Sequence, residues 1–163
     1  MPQLLRDGIV QEDDYLLLTQ VAELAGQAGV LLPITEVLQN LAVIEKYTGR
    51  LGVIVQPETS VKDLLVILPK LSLVAVNYPR YTDGRGHSKA RVLRDKYHFR
   101  GEIRAIGDVF KDTVYYLHQC GFNSFLPRSG ETVENLLAGL MVFSEGYQQS
   151  SVRSVPLYHR RTI

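Results

Sequence analysis

The stretch LVAVNYPRYTDGRGHS, residues 73–88, joins a short apolar run to a loop rich in glycine and arginine. Such a run, bounded by turn residues, is typical of a strand that is buried on both faces. A segment with helical periodicity follows the loop, and this order of elements is typical of a βα unit in a parallel sheet. The stretch therefore predicts an α/β fold with a polar loop at the carboxyl end of a strand.

The same pattern recurs from about residue 30 and predicts a parallel sheet of about five βα units. Its spacing leaves room for a crossover helix between successive strands. The even spacing favours a partial (β/α) barrel, and an open doubly wound sheet is the alternative. The candidate strands are Val30–Leu32, Leu51–Val55, Leu73–Asn77, Glu102–Ile106 and Phe122–Leu126.

Capping residues predict where several helices begin and end. Ser60, Ser88 and Asp108 are expected to cap three helices at their amino ends. Gly121 is expected to follow the third of these helices in the left-handed conformation. A final helix is expected over residues 131–147.

The chain length is sufficient for one hydrophobic core, so residues 30–149 are interpreted as a single α/β core domain. Residues 1–29 are interpreted as an N-terminal extension in which residues 9–10 and 15–18 form a hairpin. Residues 150–163 lack periodicity and are interpreted as a C-terminal tail. An exposed sheet edge would allow a second copy to pair with it, which predicts a homodimer.

Composition restricts the class of protein. The net charge of +1 predicts no nucleic-acid partner, and the absence of a long apolar run or leader segment predicts a cytoplasmic protein without a membrane span. Cys120 is the single cysteine, which excludes a disulfide within the chain, and it is interpreted as a buried structural thiol. The histidines show no pair at metal-ligand spacing, so no metal site is expected. The residues themselves identify no cofactor.

The loop after the third candidate strand is the predicted ligand-binding site. Gly84 and Gly86 flank Arg85 just before a helix, so backbone N–H groups and a guanidinium could converge on an oxyanion. Turn formation with an Arg85–Asp83 pair explains the same residue types and is the alternative. His87 is interpreted as a surface histidine or as a proton-transfer group. No catalytic residue is assigned, and the predicted binding residues are Arg80, Asp83, Gly84, Arg85, Gly86, Ser88, Arg104 and Asp108.

Three segments resemble the bacterial domain of unknown function 934. They are residues 78–88 with Ala90, Leu93, Arg94 and Tyr97; residues 101–109 with Asp112; and residues 120–122. The chain departs from the family pattern at His87, where Phe or Tyr is usual, at Thr113, where Gln is common, and at Asn123, where Asp is common.

The resemblance implies a role in assimilatory sulfite reduction, because members of that family are encoded beside the sulfite reductase haem protein. One expectation is an accessory or oxidoreductase component that binds a small anionic substrate or cofactor. The alternative is a non-catalytic partner that docks on sulfite reductase, with its arginines recognising protein carboxylates.

Overall fold

The fold is described here from a computed structural model, which describes residues 2–141. These residues form eight strands and six helices. The strands are β1 Gln3–Arg6, β2 Ile9–Glu12, β3 Leu16–Leu17, β4 Gly29–Pro33, β5 Arg50–Val55, β6 Leu71–Tyr78, β7 Glu102–Gly107 and β8 Ser124–Phe125. The helices are α1 Ile34–Gln39, α2 Leu41–Lys46, α3 Val61–Leu65, α4 Arg85–Asp95, α5 Lys111–Gln119 and α6 Val133–Met141.

All eight strands belong to one curled, half-barrel sheet with the order β2-β1-β8-β7-β6-β5-β4-β3. Strands β3 to β8 are parallel and lie side by side in chain order, whereas β1 is antiparallel to both β2 and β8. The predicted α/β class with a mainly parallel sheet is confirmed. The predicted number of about five units is too low, because the short strand β3 and the antiparallel pair β1 and β2 extend the sheet at its two edges.

The two faces of the sheet carry different side chains. Parallel strands that advance in one direction through right-handed crossovers place their helices on one face. The main hydrophobic core lies on that face and includes Leu51, Val53 and Val55 of β5. A smaller cluster lies on the other face, which we call the helix-free face, and includes Leu73 and Ala75 of β6.

The amino-terminal residues pair differently from the prediction. Strands β1 and β2 form a hairpin through Asp7 and Gly8, whose φ angles are 51° and 77°. Two successive positive φ values suit the tight turns that match the twist of paired strands. The predicted hairpin between residues 9–10 and 15–18 does not form, because β2 pairs with β1 whereas β3 pairs with β4 at the opposite edge.

Residues 13–15, which we call the crossing segment, connect β2 to β3 and therefore span the helix-free face between the two edges of the sheet. Asp13 forms an ion pair with Arg104 of β7 at 2.7 Å. The Tyr15 hydroxyl donates to Ser72 Oγ at 3.0 Å. Arg50 lies over the Tyr15 ring at 4.8 Å. Because Arg50 and Ser72 lie at the amino ends of β5 and β6, the segment covers that end of the face.

The helix boundaries confirm part of the capping prediction. Ser60 caps α3, because its Oγ accepts the Lys62 N–H and its own N–H donates to the Asp63 carboxylate. Gly121 has a φ of 107° after α5, as predicted. Ser88, however, lies inside α4, which begins at Arg85 because the Asp83 carboxylate accepts the Arg85 N–H.

The prediction that Asp108 caps α5 is also wrong. Helix α5 begins at Lys111, so its capping position is Phe110 and not Asp108. Thr113 Oγ1 instead accepts the Phe110 N–H at the start of α5. The predicted final helix is confirmed over Val133–Met141. Its predicted continuation to residue 147 and the tail at 150–163 lie outside the described residues.

Candidate functional site

The loop over residues 79–84 connects β6 to α4 and is attached to the end of the neighbouring strand β7. Asp108 Oδ2 accepts the Tyr81 N–H at 3.0 Å, and the Asp108 N–H donates to the Tyr78 carbonyl at 2.8 Å. Asp108 Oδ1 accepts a hydrogen bond from Arg128 at 2.8 Å. The Tyr81 N–H and the Arg128 guanidinium hold the pKa of Asp108 below its usual value. Asp108 therefore lies at the predicted site, where it fixes the loop.

Asp83 and Arg85 form a local ion pair at the start of α4. Arg85 Nε and Nη2 donate to Oδ1 and Oδ2 of Asp83 at 2.9 and 2.6 Å. The hydrogen bonds from Arg85 lower the pKa of Asp83 to about 2. The Arg85 side chain remains 61% exposed. The pair expected from turn formation is therefore present, and it leaves part of the guanidinium facing solvent.

The three arginines of the predicted anion site do not come together. Arg104 is fully buried and binds Asp13 and Glu102 at 2.7 and 2.8 Å. It belongs to the helix-free face, whereas Arg80 is exposed on the loop and Arg85 is exposed at the start of α4, both beyond the carboxyl end of β6. Within residues 2–141 no ion pair engages Arg80. Any ligand role of this loop therefore falls to Arg80 and Arg85 without Arg104.

The two predicted glycines occupy different surroundings. Gly84 is exposed, and a methyl group there would meet no atom within 4 Å. Gly86 is buried against the ring of Tyr78. Ser88 is exposed on the first turns of α4. Only Gly86 among these three residues is therefore fixed by packing.

A cavity of about 350 Å³ lies beside α4 and was not predicted from the sequence. We call it the His87 cavity. The His87 side chain forms part of its wall and is 9% exposed, and neither ring nitrogen has a hydrogen-bond partner among the described residues. Burial lowers the pKa of His87. The cavity is lined by Tyr81, Thr82, Gly84, His87, Ser88, Arg91 and Tyr116.

Aromatic rings surround His87 on several sides. The ring centroids of Tyr78, Tyr81 and Tyr116 lie 5.3, 5.6 and 5.1 Å from the imidazole centroid. The interpretation of His87 as a surface histidine is therefore wrong. One signal in the sequence pointed to this packing, since the family pattern has an aromatic residue at this position.

Cys120 is buried, as predicted, and burial raises the pKa of its thiol. Arg91 lies beside it, and their hydrogen bond raises the pKa of Arg91. The described residues contain no cluster of three His, Cys, Asp or Glu side chains that could hold a metal ion. Among the helices of residues 2–141, none has the length and apolar character needed to cross a membrane.

These features define an α/β half barrel with a fixed loop and a small cavity near the carboxyl ends of its central strands. The model of one family, described as bacterial protein of unknown function (DUF934), matches residues 52–158. The chain belongs to this family, as its resemblance predicted. The matched region includes the loop, Asp108 and the His87 cavity. The comparison with curated proteins gave no match.

Proposed function

We propose that the protein is an accessory component of assimilatory sulfite reduction and that residues 79–88 dock on a negatively charged surface of sulfite reductase. The sulfur link comes from the family resemblance. The observation that supports docking is the exposure of Arg80, on a loop that Asp108 holds through the Tyr81 N–H, and of Arg85, the first residue of α4. A fixed loop loses little conformational entropy when it binds, so its exposed arginines are suited to recognition.

The geometry favours a protein carboxylate over a free small anion at this loop. A four-atom anion such as sulfite can gain at most about 6 kcal/mol, near tens of micromolar, and only if several donors converge on it. Here Arg104 is engaged elsewhere and Arg85 already holds Asp83. A protein surface instead supplies many weak contacts at once, and arginine forms paired hydrogen bonds with carboxylates.

A binding measurement with purified sulfite reductase haem protein tests this proposal. Replacing Arg80 and Arg85 together by Ala should weaken binding at least tenfold, since two charge-assisted contacts are lost. Arg100→Ala is the matched control, because Arg100 is exposed in the connection that leads into the amino end of β7. Added salt should weaken the wild-type complex. Unchanged binding by the double variant, or no complex at low salt, would refute docking at this loop.

Growth of a deletion strain tests the sulfur link separately. A strain without this protein should grow on sulfide but poorly on sulfate and sulfite, because only the latter two need the reductase. The wild-type gene should restore growth, and the gene encoding the double arginine variant should not. Equal growth on all three sulfur sources would remove the link to sulfite reduction.

A further inference from the structure

Strand β3 forms one edge of the sheet, and its outer side has unpaired backbone groups. Among residues 2–141, β4 is the only strand that pairs with β3. The Leu18 N–H donates to the Leu31 carbonyl of β4 at 2.9 Å. Because the backbone groups of successive residues in a strand point to alternate sides, the N–H and C=O of Leu17 point away from β4. The outer side of β3 is therefore able to pair with a further strand.

The side chains of β3 are apolar on both faces of the sheet. Leu16 is 43% exposed and Leu17 is 63% exposed. Leu17 pairs with Leu31 and so lies on the helix-free face, whereas Leu16 pairs with Val30 and lies on the face that carries the helices. Edge strands are commonly protected by charged residues or proline, and β3 contains neither. An exposed apolar edge of this kind favours an interaction surface.

The sequence around β3 suits a second copy of the same chain. Leu16-Leu17-Leu18 reads the same in both directions, so two copies can pair antiparallel about a twofold axis next to Leu17. Leu17 would lie opposite its own copy, and the two residues would exchange both N–H···O=C hydrogen bonds. Leu16 would lie opposite Leu18 of the second copy. The nearest charged residue, Asp14, would lie opposite Gln20, so no like charges would face each other.

The opposite edge of the sheet is less suited to this contact. It is formed by β2, in which Ile9 is 66% exposed and the last two residues are Gln11 and Glu12. A charged residue in an edge strand disfavours the addition of another strand. Ile9 is therefore an exposed apolar residue at an edge where we expect no pairing.

We propose that the protein forms a symmetric homodimer in which β3 pairs antiparallel with β3 of a second copy about Leu17. This contact would join two curled sheets into one. Few side chains are covered by it, so we expect a small interface and reversible association. The interface does not depend on the proposed docking of residues 79–88, because β3 lies three strands away from β6 in the sheet.

Sedimentation equilibrium of the full chain tests the dimer. The wild-type protein should show a monomer–dimer equilibrium between about 10 and about 500 µM. Leu17→Lys should weaken dimerisation at least tenfold, because the leucine contact is lost and two like charges lie opposite each other. Ile9→Lys is the matched control and should dimerise like the wild type. Circular dichroism checks that both variants are folded, as expected for lysine at an exposed edge position.

Three results of this experiment would overturn the proposal. They are a monomeric wild-type protein at about 500 µM, unchanged dimerisation of Leu17→Lys, and equal weakening by Leu17→Lys and Ile9→Lys. The last result would indicate head-to-tail pairing of β2 with β3, which forms open chains of molecules instead of a closed dimer.

Cysteine cross-linking tests the register of the two strands. Leu17→Cys should form a disulfide-linked dimer under mild oxidation, because directly opposed residues of a hydrogen-bonded pair have Cα atoms about 5.5 Å apart. Leu16→Cys is the control on the same strand, since its own copy would be a diagonal neighbour about 7–8 Å away, beyond the span of a disulfide. The native Cys120 is buried and does not compete. Equal or faster cross-linking of Leu16→Cys would refute this register.

Two further measurements separate the dimer from the docking proposal. The double variant of Arg80 and Arg85 should dimerise like the wild type, and Leu17→Lys should still bind sulfite reductase haem protein. Loss of dimerisation in the double arginine variant would place the contact between copies at residues 79–88 and would refute pairing through β3.

Discussion

The ring of Tyr78 occupies the space that a side chain on Gly86 would need. A Cβ atom at Gly86 would lie 2.5 Å from Cζ and 2.6 Å from the hydroxyl oxygen of Tyr78. Tyr78 is 1% exposed and packs among Phe122, Tyr81 and His87, so its ring has little room to move. The first turn of α4 can therefore approach β6 only because residue 86 is glycine.

We expect Gly86→Ala to destabilise the protein by about 1–3 kcal/mol, because the added methyl group overpacks a buried site. Gly84→Ala is the control, since that position is open and its φ of −66° suits alanine. Its effect should stay within about 0.5 kcal/mol. Urea unfolding at constant pH measures both, and equal effects at the two positions would contradict the packing argument.

Asp13 and Asp14 are adjacent acids with very different surroundings. Asp13 neutralises the buried Arg104, whereas Asp14 binds Arg6 and Arg50 at a site where its side chain is 45% exposed. Asp13→Asn should cost about 2–3 kcal/mol of stability, because a buried charge loses one of its two partners. Asp14→Asn should cost about 1 kcal/mol or less, because water screens an exposed pair. Chemical denaturation measures the stability of both variants. A larger loss of stability in Asp14→Asn than in Asp13→Asn would contradict this ranking.

The buried imidazole of His87 predicts a pH-dependent stability. Burial lowers its pKa in the folded protein below the usual 6.5, so below that pH the unfolded chain binds more protons than the folded chain. Stability should be independent of this group above pH 6.5. It should fall as the pH drops from there toward the folded pKa, by at most about 1.4 kcal/mol per pH unit.

His87→Phe should flatten this dependence between about pH 7 and about pH 5. His98→Asn is the control, because His98 is exposed and its φ of 50° suits asparagine. Denaturant unfolding at several pH values measures the slope. An unchanged slope in His87→Phe would mean that protonation of another group controls stability in this range.

The Asp108 carboxylate accepts the Tyr81 N–H, which fixes the loop, and is itself held by a hydrogen bond from Arg128. Asp108→Ala should lower stability by about 1–2 kcal/mol and speed hydrogen exchange at the Tyr81 amide. Asp112→Ala is the control, since Asp112 is an exposed acid on the first turn of α5. Exchange mass spectrometry would show the change in residues 79–84. No change there would mean that other contacts hold the loop.

The central strands were predictable because each is a short apolar run between polar segments. The predicted strand Leu51–Val55, for example, agrees with the observed bounds of β5 to within one residue. Strand β1 was missed because Gln3–Arg6 contains only two apolar residues. The Asp7-Gly8 pair, with Leu4 and Leu5 shortly before it and Ile9 and Val10 directly after it, is a usable hairpin signal that predicts the pairing of β1 with β2.

The candidate site was predictable only in part. Asp108 and the loop over residues 79–84 meet as expected, because strand ends that are neighbours in a parallel sheet lie at one edge. Arg104 follows the alternation of its strand to the helix-free face, opposite to Ile103 and Ala105. The His87 cavity depends on Tyr116, a residue of another helix, and no local pattern indicates that contact.

The crossing segment and the hairpin before it have a consequence for protein synthesis. The hairpin of β1 and β2 leaves the ribosome before the other six strands, yet β1 pairs with β8, the last of the eight strands to be made. Until β8 emerges, the hairpin has no neighbour in the sheet. The segment matched by the family model begins at residue 52 and so lacks this hairpin. Translated alone, it would have to bury an arginine without its aspartate.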